Sequence, residues 1–170
     1  MLFRPKGKRA KWMLAITLAL LVFGLWMVYR DYRNEEIFRR FQEGGEKALT
    51  PMEFQKLAEI LPEKYKADTY GADTPEGTLA LFITALKNGD ADLASKYFIP
   101  EKQVEYKKAV ENWTRLGKNG EISSTLSQAT NQRINNDGTG TMGVFQGERS
   151  FMTIFFLKNN YSGKWLIQSL

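Results

Sequence analysis

The sequence predicts an α+β fold: an N-terminal transmembrane helix, then helices packed on a curved antiparallel sheet of about four strands. Three observations predict it. Residues Trp12 to Tyr29 run for 18 positions without a charge. Between residues 50 and 120, helix-start signals alternate with Gly and Pro stops. After Glu121 the apolar period changes from 3.6 to 2, and Asn136-Asp137-Gly138 supplies a hairpin turn.

The run WMLAITLALLVFGLWMVY spans about 27 Å at roughly 1.5 Å per residue, close to the thickness of a bilayer's hydrocarbon core. Trp12, Trp26 and Tyr29 sit at or near its ends, where interfacial aromatics are found. Arg4, Lys6, Lys8, Arg9 and Lys11 precede it with no acid among them, whereas Arg30, Asp31, Arg33, Glu35 and Glu36 follow it. The positive-inside rule makes residues 1–11 a cytoplasmic basic tail, residues 12–29 the membrane span, and the C-terminal domain periplasmic or extracellular. A cleaved signal peptide needs a shorter apolar core and small residues at the cleavage site, and Leu25-Trp26-Met27-Val28-Tyr29 offers none. Membrane lipid is thus one predicted partner, through Trp12–Tyr29. Ala15 and Ala19 form a small-x-x-x-small pair, a spacing that can pack two helices and is also common by chance.

Composition excludes several chemistries. The 170 residues contain no Cys and no His. That removes disulfides, thiolate zinc sites, cysteine nucleophiles and the Ser-His-Asp triad. The net charge is +5, but its distribution is uneven: residues 1–45 hold 9 Lys+Arg against 4 acids, and residues 46–170 hold 15 of each. The basic excess belongs to the membrane flank, and no nucleic-acid stripe is predicted.

Residues 30–49 read as a juxtamembrane stalk. Tyr32, Glu35, Glu36, Phe38, Arg39 and Phe41 continue the helix until Gly44-Gly45 breaks it. Phe38 and Phe41 can meet the domain, lipid headgroups or a partner helix. Residues 50–73 read as a helix and linker. Thr50-Pro51-Met52-Glu53 is a capping-box start, Phe54, Leu57, Ala58 and Leu61 form its apolar face, and Pro62 is the expected stop. Thr74-Pro75-Glu76 opens the next helix, Leu79, Phe82, Ile83 and Leu86 line it, and Asn88-Gly89 closes it. Asp90 caps a short helix to Phe98. A longer one carries Tyr106, Ala109, Val110, Trp113 and Leu116 and ends at Lys118-Asn119-Gly120. A first strand is expected from Glu121, with Ile122, Leu126 and Ile134 on one side. Further strands are expected at Thr141–Gln146, Ser150–Leu157 and Lys164–Leu170.

Two stretches resemble a known family. TPEGTLALFITALKNGDADLASKYF, residues 74–98, is similar to the opening helices of the nuclear-transport-factor-2-like superfamily, the cystatin-like α+β cone. LKNNYSGKWLIQSL, residues 157–170, resembles its last hairpin. The resemblance implies that residues 74–170 form a curved sheet wrapped by helices, with a pocket or a dimer surface in the concavity. The superfamily includes isomerases, dehydratases, polyketide cyclases and non-enzymatic adaptors. Its membrane-anchored members, such as assembly subunits of type IV secretion and conjugation systems, share this layout. No acid in this chain can be assigned to a catalytic slot of the enzymes.

Two candidate sites emerge. Phe82, Trp113, Phe155 and Trp165 line an apolar pocket or pack as core, with Tyr97, Glu105 and Arg149 as available polar groups. The strand Phe151–Leu157 is apolar on both faces, so Met152, Ile154 and Phe156, or the alternate set, form a sheet-face interface or lie under loops. Asp90 and Asp92 read as a helix cap and a first-turn charge rather than a catalytic pair. No catalytic, cofactor-binding or metal residue is assigned. Two functions stay open. One is a non-catalytic interaction or assembly module of the cell envelope, binding another envelope protein or forming a homodimer. The other is a membrane-tethered binding domain for a small apolar ligand, with weak isomerase- or dehydratase-like activity.

Overall fold

The apolar N-terminal run continues as helix well past its last apolar turn. In the computed structural model, which describes residues 8–146 and 149–170, α1 (Lys8–Gly44) is one helix of 37 residues. Among the described residues it is the one helix long and apolar enough to cross a membrane, and none of its apolar window is buried against the rest of the chain. A helix this apolar and this bare needs a non-aqueous surrounding, which fits a bitopic membrane protein.

Beyond a 3₁₀ turn at Gly45–Ala48, α2 (Pro51–Ala67) folds back along the stalk. Its start is local chemistry: the Thr50 hydroxyl accepts from the Glu53 N–H at 3.3 Å, and the Glu53 carboxylate accepts from the Thr50 N–H at 3.0 Å. Pro62 does not end the helix as expected but lies inside it. A proline removes one ladder bond, and contacts on both sides of it compensate. Leu57 and Ile60 are buried with Ile37 and Phe38 of α1, while Lys64 reaches Glu35 at 2.5 Å. Arg40 pairs with Glu53 at the other end, so the two helices run antiparallel. Phe38 and Phe41 therefore pack on α2.

The Arg40–Glu53 contact sets a pH dependence. The Thr50 N–H, then the Arg40 guanidinium and the Thr50 hydroxyl, draw the Glu53 carboxyl down from 4.5 to about 2. A depressed folded-state pKa contributes stability that is present above 4.5 and is lost as pH falls through about 2. Glu53→Gln is expected to lower the Tm of the full chain at neutral pH, with the gap to the parent closing as pH falls through that window. A gap of constant size down to pH ~2 would refute the assignment.

The remaining helices are α3 (Pro75–Lys87), α4 (Ala91–Ser95), α5 (Gln103–Arg115) and α6 (Asn119–Leu126), with a 3₁₀ turn at Pro100–Lys102 before α5. Thr74 caps α3 through the Gly77 N–H, and Asp90 caps α4 through the Leu93 N–H. Residues 121–126 are thus helical, not the expected first strand. Ile122 and Leu126 stand at i, i+4, and packing on α3 buries Leu126 completely. The strands are β1 (Thr130–Ile134), β2 (Thr139–Gln146), β3 (Arg149–Lys158) and β4 (Trp165–Ser169), antiparallel in the order β1-β2-β3-β4. Gly138, at φ 82°, makes the β1–β2 turn.

The core lies between the helices and one face of this open sheet. Phe98 stacks on Tyr106 at 3.7 Å between ring centres and meets Phe82 edge-on at 5.1 Å. Phe156, Ile154 and Ile167 supply the sheet side. The outer edge of β4 is not left open. Trp165 N–H donates to Ala72 O, Ile167 N–H to Tyr97 O, and Ile99 N–H to Ile167 O, at 2.8–2.9 Å. Chain segments on either side of α3 and α4 therefore occupy the hydrogen bonds that an exposed edge would offer to another strand.

Candidate interaction face

Strand β3 settles which of its two apolar faces is inward. Met142 of β2 stands opposite Ile154, and Gly140 opposite Phe156. Ile154 and Phe156 are 0% exposed and Met152 packs half-buried on the core. The expected Met152–Ile154–Phe156 interface is thus turned inward, under the helices, and the alternate set faces out. The reason is register: shifting which parity faces the helices moves every side chain of the strand across the sheet.

The outward face carries Phe151 at 67% exposure, Phe155 at 45% and Phe145 of β2 at 36%. Thr141 stands opposite Phe155 and Gly143 opposite Thr153. The Phe145 ring folds across Gly143, where any Cβ would lie 2.5 Å from it, so the glycine lets the aromatic ring lie flat over bare backbone. A shallow depression of ≈ 430 Å³ adjoins it, bordered by Gln132, Arg133, Thr141 and Thr153. Among the described side chains, this face combines three exposed phenylalanines with threonines and one cation, Arg133.

The four aromatics expected around a pocket do not line one cavity. Phe82 and Trp165 are buried in the core, Trp113 packs against its rim, and Phe155 stands on the opposite side of the sheet. Trp165 lies against Gly140, and Phe82, Phe98 and Tyr106 fill the space between helices and sheet. Tyr97 is buried edge-on to Tyr70, and Glu105 pairs with Lys102 at 2.7 Å. The Arg149 side chain lies outside the described residues. The carboxylate pairs also have separate partners: Asp90 caps α4 and Asp92 binds Lys107, while Glu35 binds Lys64 and Glu36 binds Arg39.

One polar cluster was not visible in the sequence. Asp68, just past α2, accepts from the Tyr70 N–H at 2.9 Å and from Gln103 Nε2 at 3.0 Å. Burial pushes its carboxyl pKa up, against the pull of the Tyr70 N–H, Lys96 and Gln103. The Tyr65 hydroxyl donates to Glu101 at 3.0 Å, and Asn159 Nδ2 donates to Tyr65 O at 2.7 Å and Asp68 O at 3.2 Å. Burial and the neighbouring Glu101 carboxylate raise the Tyr65 pKa. Every member has a protein partner, so the cluster fastens α2 and the β3–β4 turn to α5. The partners are 35 and 91 residues apart, a separation no local signal bridges. Among the described residues, no group of three or more Asp, Glu, His or Cys is placed to hold a metal ion.

No protein-family model matches the chain, and neither a curated protein nor a solved structure does so.

Proposed function

We propose that this is a single-pass membrane protein whose nuclear-transport-factor-2-like domain is a non-catalytic assembly module of the cell envelope, self-associating through the outer face of β2 and β3. The basic N-terminal flank would face the cytoplasm and the domain the periplasm or extracellular space. The observation that carries the reading is the Phe145–Phe151–Phe155 face, left bare beside a core that is complete without it. A second copy is the favoured partner for two reasons. Among the described side chains the face carries one cation, Arg133, so packing it on itself sets up little like-charge repulsion. A shared membrane also holds copies of the domain facing the same way at high effective concentration. The aromatic filling of the concavity counts against the small-ligand reading, which needs an open pocket with convergent polar groups.

The test is crosslinking of the full chain in membranes. The parent is expected to give a dimer band. Phe151→Lys with Phe155→Lys is expected to abolish it while shifting the Tm by less than about 3 °C, since exposed positions contribute little to the fold. A dimer that survives both lysines refutes the face. A band containing a different protein, lost in the same variant, transfers the face to a heterologous envelope partner.

A further inference from the structure

We infer that the groove between the stalk and α2 holds the headgroup of one anionic phospholipid. The groove has a volume of ≈ 440 Å³, with Trp26, Tyr29, Arg30 and Arg33 on the α1 side and Met52 and Lys56 on the α2 side. Helix continuity fixes its depth. Trp26 and Tyr29 belong to the last apolar turn, and Arg30 and Arg33 stand about 1.5 and 6 Å beyond Tyr29. The polar layer of one leaflet is roughly 5–7 Å deep, so both guanidinium groups lie at phosphate level.

The charges suit that ligand. Two acids also border the groove, Glu53 and Glu59, and both are already engaged, by Arg40 and Lys56. Arg30 shares Asp31 at 3.1 Å and lies 5.5 Å over the Trp26 ring, which keeps its guanidinium at the interface. Arg33 makes no ion pair among the described residues. Asn34 and Gln55 add amide donors. Below Trp26 the same helix face continues as a mainly apolar groove of ≈ 530 Å³ along Leu18, Val22 and Phe23. One molecule with an anionic head and an acyl tail satisfies both halves, whereas a soluble anion meets only the upper one. The inference rests on α1 crossing a membrane; it does not depend on the sheet face or on which side the domain occupies.

The experiment is native mass spectrometry of the full chain released from nanodiscs of phosphatidylcholine with and without phosphatidylglycerol. One phosphatidylglycerol is expected to stay on each chain, in preference to phosphatidylcholine. Arg30→Gln with Arg33→Gln is expected to weaken retention about 30-fold, equivalent to roughly 1 kcal/mol per cation at about 1.4 kcal/mol per tenfold. Arg39→Gln, whose partners Glu36 and Glu43 lie outside the groove, is expected to change nothing. Should the double variant lose helicity, Arg33→Gln alone is expected to show about a fivefold loss. Equal retention of both lipids, undiminished retention in the double variant, or displacement of the lipid by inorganic phosphate overturns the site. So does release as a lipid-free dimer paired through α1. A chain that stays in the membrane but holds no lipid defeats the groove alone, whereas a chain extracted by carbonate defeats the anchor itself.

Discussion

Phe156→Ala is expected to destabilise the domain by about 3–5 kcal/mol, and Phe155→Ala, the next residue on the same strand, by less than about 1 kcal/mol. Phe156 is fully enclosed, between Gly140 of β2 and Ile167 of β4 along the sheet and beneath the helical side of the core. Truncation removes a whole ring from that core. Ile154, on the same face of the strand, is itself fully buried and held by pairing with Met142, and Phe82 lies fully buried on α3 in the same core, so the surroundings do not collapse easily into the void. Phe155 loses contacts only on a face that solvent already wets. Chemical denaturation at low protein concentration separates the two effects. Equal losses would mean that β3 is turned over, and the proposed interface would then fall with the register. If self-association uses this face, Phe155→Ala also reduces crosslinking while Phe156→Ala reduces only stability.

That contrast marks where the sequence ran out. The helix starts at Thr50, Thr74 and Asp90 were legible because each is completed by a bond to a backbone N–H three residues away. The long bare N-terminal helix was legible because an 18-residue run without a charge has few uses other than crossing a membrane. β3 was legible as a strand but not as a face. Phe151 and Phe155 are as apolar as Ile154 and Phe156, so alternation carried no information, and only pairing with β2 and the helices above decides. The segment Glu121–Leu126 misled for a related reason. Its Ser-Ser-Thr run is a poor helix former, and packing of α6 against α3 overrides that preference. Pro62 misled because a stop signal is local, whereas the contacts that carry α2 past it are made with α1. The Asp68–Gln103–Asn159 junction had no local signature at all.

The largest single-methyl effect is expected at Gly71. Gly71→Ala should cost more than about 3 kcal/mol, against about 1 kcal/mol for Gly163→Ala. Both glycines have positive φ, 94° and 72°, so both substitutions carry the strain of the left-handed region. They differ in what the new methyl meets. At Gly163 there is open space, whereas at Gly71 the Cβ would lie 2.1 Å from the carbonyl oxygen of Trp165. That oxygen cannot retreat easily, because the buried Thr78 hydroxyl donates to it at 2.8 Å. The same hydroxyl accepts from the Ala72 N–H at 2.9 Å, and Ala72 O accepts from the Trp165 N–H at 2.8 Å. One methyl therefore strains the joint between the linker, the start of α3 and the edge of β4 together. Thermal unfolding with light scattering reads both consequences: a lowered Tm, and aggregation through the uncovered β4 edge. A Gly71→Ala loss no larger than that of Gly163→Ala would show that the linker does not approach β4 so closely. If the larger loss is found, residues 68–73 are part of the domain's sheet layer rather than a tether to it. The stalk hairpin, fastened to those residues through Asp68 and Asn159, then moves with the domain as one body.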